Sequence, residues 1–123
     1  MDSGLTGWME RYIAAWDSND PAAIAGLFSD EADYRSYPWA VPVHGPEEIV
    51  DRWLSDADQP GDHRFSWREI GVDGDRHFVQ AHTAYADGRT YENLWIVDLD
   101  ADGRAREFTE WYMRRRPEAI PEE

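Results

Sequence analysis

The chain contains no cysteine among its 123 residues. This absence excludes a disulfide framework, thiolate chemistry and a zinc–thiolate site. Basic residues are scarce, since 12 Lys and Arg stand against 26 Asp and Glu and give a formal net charge of -14. An acidic surface repels phosphates, so this charge argues against nucleic acid or an anionic membrane as a partner. Its simplest role is solubility.

Several sequence signals of other protein classes are also missing. The chain has no apolar run of membrane-spanning length and no secretory signal pattern, so we expect a cytoplasmic protein. It has no Gly-rich phosphate loop, no G-x-S-x-G nucleophile elbow and no H-x-x-x-H metal pair. We therefore expect neither a cofactor nor a metal.

The apolar and aromatic content of the chain suits one packed core. Hydrophobic residues make up 41% of the sequence and aromatic residues 14%, which argues against disorder. The length fits a single domain. We place this domain at residues 1–113 and a charged C-terminal tail at 114–123.

Three segments have the periodicity of amphipathic helices. The first has Asp2 or Ser3 as a cap, and its apolar stripe is Leu5, Trp8, Met9, Tyr12 and Trp16. The second begins with Asp20 as a cap and Pro21 at its first position, and its apolar side is Ile24, Leu27 and Phe28. The third begins at Gly45–Pro46, and its stripe is Ile49, Val50, Trp53 and Leu54.

The remaining segments favour strands. A short strand is predicted at 32–37, and the prolines that follow it, Pro38 and Pro42, confine the next piece to a sheet edge or a bulge. After a polar loop at 56–62, strand-like runs lie at about 64–72, 77–86, 90–99 and 104–113. Asp-Gly dipeptides separate these runs and indicate successive hairpins.

These elements predict an α+β domain in which three N-terminal helices pack into a strongly curved, mainly antiparallel sheet around a pocket. The other side of the sheet, which we call the outer face, would carry Leu94, Ile96, Trp111 and Met113. This face is too apolar for water, so we expect a homodimer that buries it.

The last hairpin predicts a polar pair among aromatic rings. A short loop at 100–103 would place Trp95 opposite Phe108, Asn93 opposite Glu110 and Tyr91 opposite Tyr112. Poor solvation among rings would raise the pKa of Glu110, which makes it a candidate general acid or base. Asn93 would orient it or bind a substrate carbonyl. Alternatively, Asn93 and Glu110 only satisfy each other at a strand crossing.

Tyr12, which reaches in from the first helix, is the third candidate catalytic residue, because its hydroxyl could stabilise charge on a substrate oxygen. Alternatively, Tyr12 only packs in the core. The candidate substrate-binding residues form a mainly aromatic set: Trp16, Tyr34, Trp53, His82, Tyr91, Trp95, Phe108 and Tyr112. His82 is a pocket group in this interpretation and an ordinary outward histidine in the other. His44 is expected to cap or pack before the third helix, and His63 and His77 are expected to be exposed beside turns.

Three segments taken together resemble the SnoaL-like and ketosteroid isomerase-like branch of the nuclear transport factor 2-like superfamily. They are WMERYIAAWDSNDPAAIAGLFSDEADY, HGPEEIVDRW and YENLWIVDLDADGRAREFTEWY. The resemblance implies a cone of curved sheet closed by helices, usually dimeric, with a pocket inside.

The resemblance to ketosteroid isomerase is incomplete at its catalytic positions. It implies that Tyr12 matches the tyrosine that donates a hydrogen bond to the substrate oxyanion. The position of the general-base aspartate falls on Ser36, and that of the second oxyanion donor, a protonated aspartate, falls on Trp95. Steroid isomerisation by that set of groups is therefore not expected.

Three hypotheses about function follow. The first is a cofactor-free isomerase, cyclase or dehydratase acting by proton transfer on a small apolar carbonyl- or hydroxyl-bearing metabolite. The second is a non-catalytic ligand-binding domain of the same fold. The third is a dimerisation module whose cavity is filled by its own rings.

Overall fold

The computed structural model describes residues 4–55, 57 and 61–115, and within them it contains three helices and six strands. The elements in chain order are α1 (Leu5–Ser18), α2 (Pro21–Ala25), β1 (Phe28–Arg35), β2 (Val43–His44), α3 (Pro46–Ser55), β3 (His63–Asp73), β4 (Arg76–Tyr85), β5 (Thr90–Leu99) and β6 (Ala105–Arg114). The sheet is curved and unclosed, with strand order β2-β1-β6-β5-β4-β3. The predicted α+β class is confirmed.

The helices form largely where their periodicity predicts. In α2 the Asp20 side chain accepts a hydrogen bond from the Ala22 amide, and Pro21 occupies the first turn. Glu47 and Glu48 lie in the first turn of α3, where negative charge is favourable. Gly4 occupies the N-cap of α1, whereas the predicted caps Asp2 and Ser3 lie outside the described residues.

The second helix is shorter than its apolar pattern suggested, because Phe28 already belongs to β1. The carbonyl oxygen of Leu27 accepts hydrogen bonds from Trp8 Nε1 at 2.9 Å and from the Ala105 amide at 2.8 Å. These two bonds draw the chain out of the helix and into the sheet. The first strand therefore begins earlier than the predicted segment 32–37 and ends at Arg35.

The four strands after residue 62 form the predicted antiparallel meander, with hairpin turns at each Asp-Gly dipeptide. Strand β2 is a two-residue edge strand beside β1, in keeping with the two prolines before it. Strand β1 pairs in parallel with β6. This pairing places the first strand of the chain beside its last strand. It thereby brings α1 over the meander.

The core lies between the helices and the concave face of the sheet. Trp8 of α1 is fully buried and contacts the rings of Tyr12, Phe28 and Phe108. Alternation along β5 and β6 places Trp95, Val97 and Phe108 on this same side. The helices thus cover one side of the sheet, and the outer face remains uncovered.

Candidate functional site

The last hairpin aligns its strands two residues away from the predicted register. Trp95 lies opposite Glu110 instead of Phe108, and Asn93 lies opposite Tyr112 instead of Glu110. The predicted Tyr91–Tyr112 pairing is also wrong, since Tyr91 lies opposite Arg114, although the two rings stay in edge contact at 5.8 Å.

The turn explains this difference. Asp100 Oδ1 accepts hydrogen bonds from the backbone amides of Asp102 and Arg104, each at 2.9 Å. These bonds close a loop that is longer than the Asp-Gly pair alone requires. A bulge between Asp98 and Leu99 then shifts the ladder. Because the shift is by two residues, every side chain keeps its predicted face.

Asn93 still contacts Glu110, but on the diagonal between the strands. Its Nδ2 donates to Glu110 Oε2 at 2.7 Å, and its Oδ1 accepts from Thr83 Oγ1 at 2.9 Å. Thr83 and Asn93 are buried, so the Thr83 bond fixes the orientation of the amide and aims its donor at the carboxylate. The chain of hydrogen bonds holds one Glu110 oxygen in place.

Burial raises the pKa of the Glu110 carboxyl above its ordinary value. Two N–H donors, Trp95 first and then Asn93, partly offset this rise because they favour the charged form. The Trp95 indole lies beside the carboxylate, and its Nε1 has no other acceptor among the described residues. The Glu110 carboxylate is therefore poorly solvated, and its two hydrogen-bond donors offset only part of the rise in its pKa.

The Tyr12 hydroxyl lies close to two other polar groups of the interior. Burial raises the pKa of Tyr12 well above its ordinary value, and the neighbouring Tyr34 and Glu110 raise it further, with a hydrogen bond between the Tyr12 and Tyr34 hydroxyls contributing. Tyr12 is therefore a neutral phenol over the physiological range and can act only as a hydrogen-bond donor or acceptor.

Two adjoining cavities meet at these side chains. The first, of about 210 Å³, is lined by Tyr12, Trp16, Tyr34, Ser36, Arg52, Trp53, Ala57 and Glu110. The second, of about 260 Å³, is lined by Tyr12, Trp16, Thr83, Tyr85, Tyr91, Asn93, Trp95, Glu110 and Tyr112. Tyr12, Trp16 and Glu110 belong to both, so the carboxylate lies where the two cavities meet.

The structure therefore brings the three candidate catalytic residues together and places most of the aromatic candidates around them. Trp16, Tyr34 and Trp53 line the first cavity, and Tyr91, Trp95 and Tyr112 line the second. Phe108 is the exception among the rings, since it is fully buried beneath Tyr12 and Tyr34, with which it stacks, and reaches neither cavity.

The placement of His82 in the pocket is wrong. Strand alternation puts it opposite Glu92 on the outer side of the sheet, where its Nδ1 lies 2.8 Å from Glu92 Oε2. Side chains alternate along a strand, so Gln80 and His82 share one face and Thr83 lies on the other, inward face. This alternation allowed the alternative of an outward histidine, which is what the structure contains.

Two other histidines also differ from expectation. His77 is buried, with Nδ1 2.8 Å from Glu69 Oε2, and the side chain of His63 is only 3% exposed because its ring stacks on Trp16 at 3.8 Å. The prediction that both histidines are exposed beside turns is therefore wrong. Each lies at the start of its strand, and its side chain points inward. His44 instead lies in β2, exposed between Asp33 and Glu31, and these acidic partners raise its pKa.

Sequence reasoning missed several residues of the site. Thr83, Tyr85 and Arg52 line the cavities without having been predicted there, whereas Ser36, which the resemblance matches to the general-base aspartate, lines the first cavity. Thr83 and Tyr85 share the inward alternation of β4 with Ala81, and that period was the available signal. Arg52 is on the exposed side of α3 and reaches the first cavity by the length of its side chain.

Within the described ranges, no group of three or more His, Asp or Glu side chains is arranged to hold a metal ion. Within those same ranges, no helix has the length and apolar character needed to cross a membrane.

Comparisons with known proteins agree with the fold. A nuclear transport factor 2-like protein of unknown function from Mesorhizobium loti is 26% identical, with a TM-score of 0.68 over 89% of this chain and 91% of that one. A second such protein, from Burkholderia xenovorans, is 18% identical with a TM-score of 0.71, over 96% and 88% of the two chains. A candidate ketosteroid isomerase from Kribbella flavida is 16% identical with a TM-score of 0.68, over 94% and 82%.

A search of curated proteins finds no match. The sequence profile described as the SnoaL-like domain matches residues 9–116, which is most of the chain. The protein is therefore a member of the SnoaL-like family, with the nuclear transport factor 2-like fold.

Proposed function

We propose that this protein is an enzyme that moves a proton on a small apolar molecule bearing a carbonyl or hydroxyl group. The observation that carries this proposal is the Glu110 carboxylate, which is half-buried among rings at the junction of two cavities and held on one oxygen by Asn93. A base with a raised pKa is better matched to proton transfer near neutral pH than an exposed glutamate.

In the proposed reaction, Glu110 removes a proton from the carbon next to a substrate carbonyl. The electron pair of the broken C–H bond moves onto the carbonyl oxygen, and the resulting enolate accepts a hydrogen bond from the Tyr12 hydroxyl. If Glu110 then returns the proton to another carbon of the enolate, the product is an isomer. If the enolate carbon attacks a second carbonyl carbon of the same molecule, a ring closes and Glu110 protonates the new alkoxide, and if the substrate has a β-hydroxyl, its C–O bond breaks and the hydroxyl leaves as water with the proton from Glu110. The side chains supply the base and the oxyanion donor, so the step requires no cofactor.

The lining of the cavities supports a small apolar substrate. Rings surround the carboxylate, and an engineered apolar cavity of about 150 Å³ is known to bind benzene, so about 260 Å³ in the second cavity admits a molecule of one ring. The remaining space also argues against the hypothesis that the protein's own rings fill the interior.

The test is proton exchange on a panel of one-ring ketones. Ketones that raise the melting temperature would be incubated with the protein in D₂O, and deuterium at the α-carbon would be followed by NMR. We expect Glu110→Gln to lower the exchange rate by about 10²–10⁴-fold while the ligand-induced thermal shift remains.

The matched control is Glu107→Gln, which removes the same charge from the outward side of the same strand. Exchange at the wild-type rate in Glu110→Gln would remove Glu110 from the mechanism. Binding without exchange in the wild-type protein would instead favour a non-catalytic ligand-binding domain.

We also propose that two copies of the chain associate through the outer face. This face carries an apolar groove of about 720 Å³ whose walls include Trp39, Ile70, Leu94, Trp111 and Met113. Trp39 is 82% exposed and Met113 73% exposed, which is costly for a face left in water. A twofold dimer would bury the same patch on both copies.

A further inference from the structure

The two cavities of the candidate site differ in the chemistry of their walls. Away from the side chains that both cavities share, the second cavity is walled mainly by three tyrosine rings, Tyr85, Tyr91 and Tyr112, and each neighbouring pair of these rings is in edge contact at 5.8 Å. The wall of the first cavity instead includes Ser36 and Arg52. One end of the site is therefore aromatic, and the other end is polar and carries a positive charge.

Arg52 is the one basic residue among the described residues that line the two cavities. A guanidinium group suits a carboxylate, because it offers two parallel N–H donors together with its charge. The chain as a whole has a formal net charge of -14, so its overall field repels an anion. A negatively charged ligand could therefore be held only by a local cation, and Arg52 supplies one at the first cavity.

The order of these groups sets the arrangement of a suitable ligand. Tyr12 and Glu110 line both cavities, so a ketone and the carbon next to it would lie at the junction. An apolar ring on one side of the ketone would then occupy the second cavity. The group on the other side of the ketone would extend into the first cavity, toward Arg52.

We propose that the ligand is a keto acid, with an aromatic ring in the second cavity, its ketone at the junction and its carboxylate paired with Arg52. This inference rests on the proposed function and names its substrate class, in which an otherwise apolar molecule has one charged end. The chemical step is the same. Glu110 takes a proton from the carbon beside the ketone, the electron pair of that C–H bond moves onto the ketone oxygen, and the carboxylate stays ionised throughout.

The pairing with Arg52 should make the site selective. A carboxylate accepts charge-assisted hydrogen bonds from the guanidinium, whereas an apolar group of the same size displaces water from it and offers no acceptor. Arg52 is exposed and already takes part in another interaction of the chain, and both facts limit what a ligand can gain. We therefore expect this contact to favour the acid by about tenfold in affinity.

The probes are 4-(4-fluorophenyl)-4-oxobutanoate and 1-(4-fluorophenyl)-4-methylpentan-1-one. Both have a fluorinated ring, a ketone and the same spacer, and the second probe has an isopropyl group in place of the carboxylate. Binding of each probe near neutral pH would be titrated by ¹⁹F NMR to the wild type and to variants. The measured quantity is the ratio of the two dissociation constants, because a general effect of a variant on the cavities cancels in this ratio.

Arg52→Gln should lower the preference for the acid by about tenfold. The matched control is Arg106→Gln, which removes the same charge from an exposed position of β6 outside both cavities. The two variants have equal net charge, so the long-range repulsion of the acid is the same in both. Arg52→Lys keeps the charge but not the two parallel donors, so its preference should lie between those of the wild type and Arg52→Gln.

A second measurement connects the pairing with the proposed reaction. Deuterium exchange at the carbon beside the ketone would be followed in D₂O for both probes. The contact with Arg52 is the same before and during proton transfer, so Arg52→Gln should raise the KM of the acid by about tenfold with little change in kcat. The kinetic constants of the isopropyl ketone should stay the same.

An unchanged preference in Arg52→Gln, an equal loss in Arg106→Gln, or failure of the acid to bind the wild type would overturn the proposal. These results are distinguishable from failure of the proposed function. If Glu110→Gln stops exchange of both ketones while Arg52→Gln keeps the preference for the acid, the base stands and the carboxylate site does not. If the acid binds through Arg52 and neither ketone exchanges, the carboxylate site stands and the catalytic function does not.

Discussion

Asn93 donates to Glu110 over 2.7 Å although the two residues are not cross-strand partners. The direct neighbour of Glu110 is Trp95, and both its indole N–H and the diagonal Asn93 amide favour the charged carboxylate. Burial of Glu110 has the opposite and larger effect on the pKa, because desolvation disfavours the charge and a donor favours it. The register of the last hairpin thus decides how the candidate base is tuned.

Removal of the Asn93 donor should make Glu110 a stronger base. In Asn93→Leu the charged carboxylate loses one of its two hydrogen-bond donors, so the pKa of Glu110 should rise further above its ordinary value. The acidic limb of the pH–rate profile for ketone α-exchange should therefore move to higher pH.

Two further variants bracket this prediction. Thr83→Val removes only the group that orients Asn93, at 2.9 Å from its Oδ1, and should move the limb in the same direction by less. Glu92→Gln, on the outer side of β5, should not move it. A profile that stays in place in Asn93→Leu would show that the amide does not tune the base.

Glu110 should also make the stability of the fold depend on pH. Burial raises the pKa of the folded state above the ordinary value of the unfolded chain, so between these two values the folded protein holds a proton that the unfolded chain has lost. The free energy of unfolding should therefore fall as pH rises through this window, by about 1.4 kcal/mol for each unit of pKa difference.

Urea unfolding of the wild type and Glu110→Gln across this range provides the measurement. The neutral amide has no proton to lose, so the variant should gain stability relative to the wild type as pH increases. Glu107→Gln, whose carboxylate is exposed, should follow the wild type closely. Parallel curves for the wild type and Glu110→Gln would contradict a raised pKa at this position.

A charge placed in the outer groove should separate the proposed dimer. Trp111 is 49% exposed in the apolar groove, and Trp111→Glu would bring two like charges together at a twofold interface. Light scattering should give a dimer for the wild type and a monomer for the variant at micromolar concentration. Because each copy carries a formal charge of -14, added salt should strengthen wild-type association.

The control for this experiment is Ala14→Glu, which adds the same charge on the exposed side of α1. It should remain a dimer. A wild-type protein that is monomeric at every salt concentration would count against the outer face as a contact between copies.

More of the fold than of the candidate site could be predicted from the sequence. Asp-Gly turns and alternation predict the meander, and they place Glu110, Asn93 and Trp95 on one face, because a strand's period of two fixes the face of every side chain. The parallel pairing of β1 with β6 was not foreseen, since it joins residues far apart in the chain. Nothing local in the sequence specifies such a contact.

The details of the site depend on features that periodicity does not contain. The register rests on two hydrogen bonds to the Asp100 carboxylate and on one bulge. The inward position of His63 depends on stacking with Trp16, which belongs to a distant helix.

The Asp100 turn provides the sharpest test of how the hairpin sets its register. Asp100→Ala removes the acceptor of the Asp102 and Arg104 amides, and the loss of these bonds should lower the free energy of unfolding by about 1–2 kcal/mol in urea titration. Asp102→Ala removes a charge from the same exposed turn but neither of these acceptors, so it should cost less. If the turn fixes the register, Asp100→Ala should also shift the NMR signal of the Trp95 indole N–H in the ¹⁵N-labelled protein. The reason is that the Trp95 ring faces Glu110 only in this register. Equal losses of stability in the two variants, with an unmoved Trp95 signal, would assign the register to strand packing instead of the turn.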